Sequence, residues 1–494
     1  MPVFQNDMAG TLQQPTTSSA SSSPINPNLS SRNKDLISSP TRPPLIPLNR
    51  NLDDDNFASD DSKEDLSRLI SKPAPVQDDL PVSGNKTPSS SDMLYYYERL
   101  LPFRYIFQWL NHSPKPQKDF TMREFAYEYR SGAYQRYNSF ATLEDFKASV
   151  MKANPTRFEV GAVYAVNPKD RKTLPKTAMK PLEKELVIDI DLTDYDDIRT
   201  CCSKTQICTK CWKFITVATK IIEQALREDF GFEHMVWVFS GRRGAHCWVS
   251  DKRARHLEEP KRRAIVEYLD ILKNKGNKRL NLRRPYHPHI ERSYEILKPE
   301  FLDIILTEQD PWADDVKAEE LLKSLPDKNL NDALRKLWSS SPGRSSIQKW
   351  KDIDETSKKI ATKTFNYRTI VEAKQDIILE TMYPRLDVEV TRQMIHLLKS
   401  PFCIHPSTGN VCVPFDASQG FDPTNSPNLR QIQHEINKWE IEHQGIPQDK
   451  KLHDWDKTSL KPSVDLFAKF VQGVIKSERS AKRERDDDEE DLEF

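Results

Sequence analysis

Glu185-Leu186-Val187-Ile188-Asp189-Ile190-Asp191-Leu192 is the stretch whose reading decides the architecture. Its β-branched, apolar run predicts a buried strand. On a strand, residues two apart share a face. Asp189 and Asp191 therefore project together, while Ile188 and Ile190 turn to a core. Two carboxylates side by side at a strand end repel one another unless cations lie between them. Hard oxygen donors of this kind suit Mg²⁺ or Mn²⁺, and a metal pair stabilises both the attacking and the leaving oxygen of a phosphoryl displacement. Taken alone, such a pair also suits a solvated strand end. A third acid is required, and Asp387 in Arg385-Leu-Asp-Val-Glu-Val-Thr391, read as a strand, is the candidate; Glu389 shares its face and is the alternative.

Working outward, Phe158–Val166 and the two runs flanking Ser240-Gly-Arg-Arg-Gly-Ala-His246 also read as strands, the latter joined by a glycine-bounded turn. Glycine on each side lets the backbone turn tightly and approach a ligand, and the paired guanidiniums of Arg242 and Arg243 can grip phosphate oxygens. Ser240 and His246 add polar groups at the edges of this turn. Downstream, Lys399 and His405 would complete a cationic cradle for a triphosphate if they lay beside the arginines. Residues 93–111 have helical periodicity broken at Pro102, and Phe214–Gly231 reads as an amphipathic helix. Strand signals fade between Gly276 and Met382, where Glu/Lys/Leu-rich helical patterning takes over. The expected class is mixed α/β (α+β). Its divisions are a disordered extension at 1–92, a body at 93–275 and 383–475, a helical subdomain at 276–382 and a disordered acidic tail at 476–494.

Charge is unevenly spread although the net is +0. Glu484–Phe494 has eight acids against one arginine, and residues 1–90 have eleven acids against eight bases, leaving +10 on the body. A basic body suits a polyanionic ligand. The leader is rich in Ser, Pro, Asn and Asp and too poor in apolar residues to form a core; its Ser23-Pro24, Ser39-Pro40 and Thr87-Pro88 pairs suit phosphorylation. No run of about 18 apolar residues is present, which argues against a membrane span. The opening MPVFQNDMAGTLQQ has no basic-then-apolar pattern of a secretory signal, so an intracellular, reducing setting is expected. There, Cys201-Cys202-x5-Cys208-x2-Cys211 reads as a structural Zn²⁺ site rather than disulfides. Cys247, Cys403 and Cys412 read as buried apolar residues.

These motifs, in this order, resemble the small, catalytic subunits of archaeal and eukaryotic primases, over roughly Met93–Lys476. The resemblance implies paired β-sheets flanked by helices, an inserted helical subdomain and a zinc motif at 201–211. It implies a nucleotidyltransferase that copies single-stranded DNA into short RNA primers from ribonucleoside triphosphates, for replication initiation and lagging-strand synthesis. It assigns catalytic metal binding to Asp189, Asp191 and Asp387, and nucleotide contacts to Ser240, Arg242, Arg243, His246, Lys399 and His405. Zinc ligation falls to Cys201, Cys202, Cys208 and Cys211. Glu124, Tyr134 and Arg136 lie where the family keeps residues near the nucleotide and template path, and Glu159 where relatives have an aspartate near the ribose. The implied partners are the iron–sulfur-containing large primase subunit, DNA polymerase alpha with its accessory subunit, DNA template and RNA primer; the implied location is the nucleus. Two other readings remain open: a repair-type primase-polymerase of the same superfamily, and a non-catalytic zinc-stabilised nucleic-acid-binding scaffold.

Overall fold

The computed structural model describes residues 87–272, 280, 282–360, 365–444 and 452–491, and side chains as far as 481. The Ser23-Pro24 and Ser39-Pro40 pairs, and the leader through residue 86, lie outside the described residues.

Among the described residues, nine strands form two antiparallel sheets. The first contains β1 (Arg123–Glu128), β2 (Tyr134–Asn138), β3 (Arg157–Tyr164) and β4 (Pro181–Glu183) in the order β2-β1-β3-β4, and β8 (Leu398–Lys399) also pairs with β3. The second has the order β5-β7-β6-β9, from β5 (Leu186–Asp191), β6 (Met235–Phe239), β7 (Gly244–Val249) and β9 (Pro414–Phe415). In β5, Leu186, Val187, Ile188 and Ile190 are fully buried, while Asp189 and Asp191 are only partly so. The alternation expected of the strand is thus kept where it bears carboxylates.

Helices flank both sheets. Ser90–Arg99 and Phe103–Asn111 break at Pro102, and Trp109 packs edge-on to Trp248 of β7 with ring centroids 5.2 Å apart. Phe467 of the last helix, Lys461–Asp491, closes on the same Trp109. Thr209–Glu228 buries Phe214, Ile215, Ala218 and Ile222. Every described regular element between residues 288 and 382 is helical, with Trp312 stacked on Trp350 in its interior.

Three expectations need correction. Arg385–Thr391 is not a strand: Val388–Arg392 is a short helix with Asp387 as its N-cap, the carboxylate accepting from the Glu389 amide at 3.0 Å. The capping bond is a local alternative to a sheet ladder and wins over the β-branched pattern. Order also begins before residue 93, because Ser89 and Asp92 form a capping box. At the other end, order does not stop at 475, because the helix Lys461–Asp491 runs on into the acidic stretch. Glu478 accepts from the buried Arg255 guanidinium at 2.7 Å; a Glu/Lys/Arg-rich run has high helix propensity despite its charge.

A buried ion pair joins the two sheets. Arg123, opening β1, is bidentate to Glu185, just before β5, at 2.7 and 2.9 Å, and both side chains are fully buried. Burial raises the Glu185 carboxyl, but Arg123 and His112 together hold it far below its usual range. Cutting one partner strands a charge in the core. Glu185→Ala is expected to cost about 3–5 kcal/mol in urea unfolding. Glu319→Ala, which breaks the exposed pair with Arg335, should leave the midpoint almost unmoved.

Candidate active site

The site is built at one end of β5. Antiparallel pairing sets Asp189 opposite His246 and Asp191 opposite Gly244 of β7. The third carboxylate arrives from elsewhere in the chain: the Asp387 amide donates to the Asp189 carbonyl at 3.0 Å. The same short helix is fixed to the strand by Thr391, whose hydroxyl donates to the Val187 carbonyl at 2.6 Å. Glu389, the alternative third acid, instead accepts from Arg392 and Gln393. Burial, then Asp387 and Asp191, push the Asp189 carboxyl up to about 7, with Lys399 opposing them. Asp387 and Asp191 are therefore near enough to Asp189 to disfavour its charge, a cost that a divalent cation would relieve, and an all-oxygen donor set suits Mg²⁺ or Mn²⁺.

Facing them is the turn between β6 and β7. Arg243 Nε donates to both oxygens of Asp191, each at 2.8 Å. Thr193 donates to the same carboxylate through its amide and its hydroxyl. The Ser240 hydroxyl accepts from the Gly244 amide at 2.9 Å, so this side chain shapes the turn. Gly241 adopts φ +82°, and a Cβ there would lie 2.7 Å from the Cβ of His405. A Cβ on Gly244 would meet the Ile190 carbonyl at 2.5 Å, so glycine is what lets β7 approach the acidic strand.

Lys399 connects the sheets. It sits on β8 opposite Glu159 of β3, and its ammonium donates to the Ser240 carbonyl in the second sheet. Burial, then Lys399, Arg242, Arg157 and Arg243, push His405 down to about 3. His246 falls to about 3 through burial and Lys399. Both imidazoles are thus neutral, and the 3.5 Å between His246 Nε2 and Asp189 Oδ1 is no salt bridge. Lys399, Arg242 and Arg243 do come together as one cationic group around the uncharged His405.

Sequence reading missed Arg157, which shares this cluster and pairs with Glu159 at 3.1 Å. It also missed Thr408 and Asn410, whose side chains donate to the Gly241 carbonyl. Nothing local in the sequence marks these three; they matter through contacts far along the chain. Glu124, fully buried, takes both ends of the Arg136 fork at 2.8 and 3.1 Å and the Tyr164 hydroxyl at 2.9 Å. Tyr134 donates its hydroxyl to Glu159 at 2.5 Å. The four sulfurs of Cys201, Cys202, Cys208 and Cys211 lie within 4.8 Å of one another, and Cys208 and Cys211 are 3.9 Å apart. Sulfurs bonded at about 2.3 Å to a tetrahedral ion are separated by about 3.8 Å, so the group can hold a metal.

Carboxylates opposed to clustered cations across paired antiparallel sheets are an arrangement that can take an anion together with a cation. The pattern of the family described as DNA primase small subunit matches residues 188–417. The DNA primase small subunit of Saccharomyces cerevisiae is 54% identical over 413 residues, covering 82% of this chain and 96% of that protein. The one from Schizosaccharomyces pombe is 46% identical, covering 82% and 93%, and the one from Drosophila melanogaster 37%, covering 83% and 97%. The chain belongs to the DNA primase small subunit family, whose chemistry is nucleotidyl transfer.

Two stability predictions follow from this geometry. Gly244→Ala should separate β5 from β7 and lower stability by about 2 kcal/mol, read by denaturant unfolding. Asp189→Asn should stabilise the protein in chelator-containing buffer. A carboxyl raised in the folded state disfavours folding progressively as pH climbs from its unfolded value to about 7. The gain should therefore be larger near pH ~7.5 than near pH ~5.5; an unchanged or lower melting temperature would contradict the crowding of charge at this strand end.

Proposed function

We propose that this chain is the catalytic subunit of a DNA primase, copying single-stranded DNA into short RNA primers from ribonucleoside triphosphates. The single observation that carries the reading is the convergence of Asp189, Asp191 and Asp387 opposite Arg243 and Lys399. Two divalent cations held by these aspartates would supply charge neutralisation to the attacking and leaving oxygens of the displacement.

The protein's own groups do the rest. Arg242, Arg243 and Lys399 bind the triphosphate of the incoming nucleotide, and neutral His246 and His405 offer uncharged hydrogen-bonding groups beside it. Arg243, bidentate to Asp191, is within reach of both an acid and the phosphates that acid would share through an ion. The α-phosphorus is attacked by the primer 3′-hydroxyl and pyrophosphate leaves. The template selects the base, so the protein reads little sequence itself. Glu124, Tyr134, Arg136 and Glu159 line the approach along β1, β2 and β3. Cys201, Cys202, Cys208 and Cys211 hold a structural zinc that pins the segment after β5. We further propose that the body works in the nucleus with a large primase subunit carrying an iron–sulfur cluster, and with DNA polymerase alpha and its accessory subunit. Among the described residues no helix is long and apolar enough to cross a membrane.

Asp189→Asn and Asp387→Asn should each lower primer synthesis on single-stranded template by on the order of 100-fold or more while the protein stays folded. Full activity in either would sink the assignment. Arg243→Ala should raise the KM for ribonucleotides more than it lowers kcat. Preference for deoxynucleotides on unprimed template would favour a repair-type enzyme instead. Native mass spectrometry of the full chain should find one zinc, lost with a drop in melting temperature in Cys211→Ser.

A further inference from the structure

The edge of the first sheet carries a charged surface that the reaction as derived does not use. Strand β2 is an outer strand, and the short 3₁₀ segment Pro168–Lys172 packs against it. Residues 167–180 hold five basic residues against one acid, Asp170. Lys169, Arg171, Lys176 and Lys180 are exposed, and none of them pairs with a carboxylate among the described residues. Charges left unpaired on one face, beside an active site that handles polyanions, favour an anionic ligand.

Aromatic rings are set among these cations. Tyr137 lies between two guanidiniums, Arg171 at 4.6 Å and Arg136 at 5.2 Å from its ring centre. Its backbone has φ +66°, unfavourable for a residue with a side chain, and its amide is held by Glu124 at 3.3 Å. Strain of this kind costs on the order of 1–3 kcal/mol and persists where the surroundings impose it. Tyr134, two-fifths or more exposed at 46%, has its hydroxyl tied to Glu159, which fixes the ring. A fixed, exposed Tyr134 ring beside these cations suits a base and the phosphates of an unpaired strand, whereas an acidic peptide would need the charge alone.

The surface is continuous with the site. Glu159 is the cross-strand neighbour of Lys399, Tyr134 is bonded to Glu159, and Arg136 reaches the Ile395 carbonyl in the connector between Asp387 and Lys399. From Arg136 the path passes to Tyr137 and on to Arg171. We propose that the outer face of β2 and residues 167–180 form the track along which the single-stranded DNA template runs beside the active site. This rests on the primase reading above, and deepens it by naming the surface that grips the template.

The test is the full chain with Lys169→Glu, Arg171→Glu and Lys176→Glu combined, followed by binding of fluorescein-labelled oligothymidylate at several salt concentrations. Each phosphate contact contributes about 0.7 to the slope of log affinity against log salt for single strands, so three should lower that slope by about 2. Affinity at low salt should fall by ~10-fold or more, and the KM for template should rise by more than kcat falls. Arg171→Lys, which keeps the charge, should retain the salt slope. All three positions are exposed; matching melting curves would show that the fold is retained, and Lys176→Glu alone, with a slope change of about 0.7, gives a second measure if it is not. Unchanged affinity and slope would overturn the track. So would loss of binding to a polyglutamate peptide with oligonucleotide binding intact, which would mark a protein-docking face. Retained primer synthesis in Asp189→Asn would instead defeat the underlying function. Loss there, together with undiminished template binding in the triple variant, defeats the track alone.

Discussion

Mutual repulsion among Asp189, Asp191 and Asp387 is the constraint around which the rest of the structure is arranged. Carboxylates do not gather by themselves; burial and like charge both disfavour it, as the raised titration of Asp189 records. The gathering must be imposed by backbone bonds that side-chain repulsion cannot break. Six consecutive β5–β7 pairs hold the strand, and the Asp387 amide is bonded to the Asp189 carbonyl. The acids are thus held in place by main chain. Arg243 and Thr193 then hold Asp191 in orientation.

That arrangement explains why the cations come from two sheets. Arg242 and Arg243 belong to the β6–β7 turn, and Lys399 and Arg157 to the first sheet. Their relative position depends on how the sheets meet. Three links fix the meeting: the buried pair of Arg123 with Glu185, Lys399 with Ser240, and Lys184, whose ammonium donates to the Gln393 and His396 carbonyls. Burial and the neighbouring Arg262 push Lys184 down to about 7. The Gln393 and His396 carbonyls lie in the connector between Asp387 and Lys399, so one lysine steadies an acid of the cluster and a cation of the cradle together.

Much of this was legible in the sequence, for a definable reason. Asp189 with Asp191, and Ser240 through His246, are local patterns whose meaning follows from strand period and glycine geometry, and the strand and turn are where they were read. Tertiary neighbours were less legible. Asp387 was singled out, but on a strand, because the β-branched Val388, Val390 and Thr391 outweighed the capping power of the aspartate in that reading. Arg157 falls just before the run 158–166 that reads as strand, and Thr408 and Asn410 lie in a stretch that reads only as a continuation of the body. Their partners are more than 150 residues away for two of the three, Thr408 and Asn410. The acidic tail was misjudged for a different reason: composition reports solubility, whereas Glu478 is drawn in by a single buried arginine.

Division of labour between rigid and adaptable parts follows from the same geometry. The acidic strand ends its sheet's order, yet its apolar face is fully buried and it is bonded to β7 through six register pairs, so its chemistry cannot drift with substrate. The outer strand β2 has exposed side chains, a bulge in its pairing with β1, and a residue in the left-handed region. A polymerase must grip a strand that moves by one nucleotide at every addition. Fixed carboxylates with a peripheral, charge-based hold meet both needs, because Coulombic contacts to a repeating backbone tolerate a one-step shift whereas metal coordination does not. The contrast between β5 and β2 suits the proposed transfer along one template.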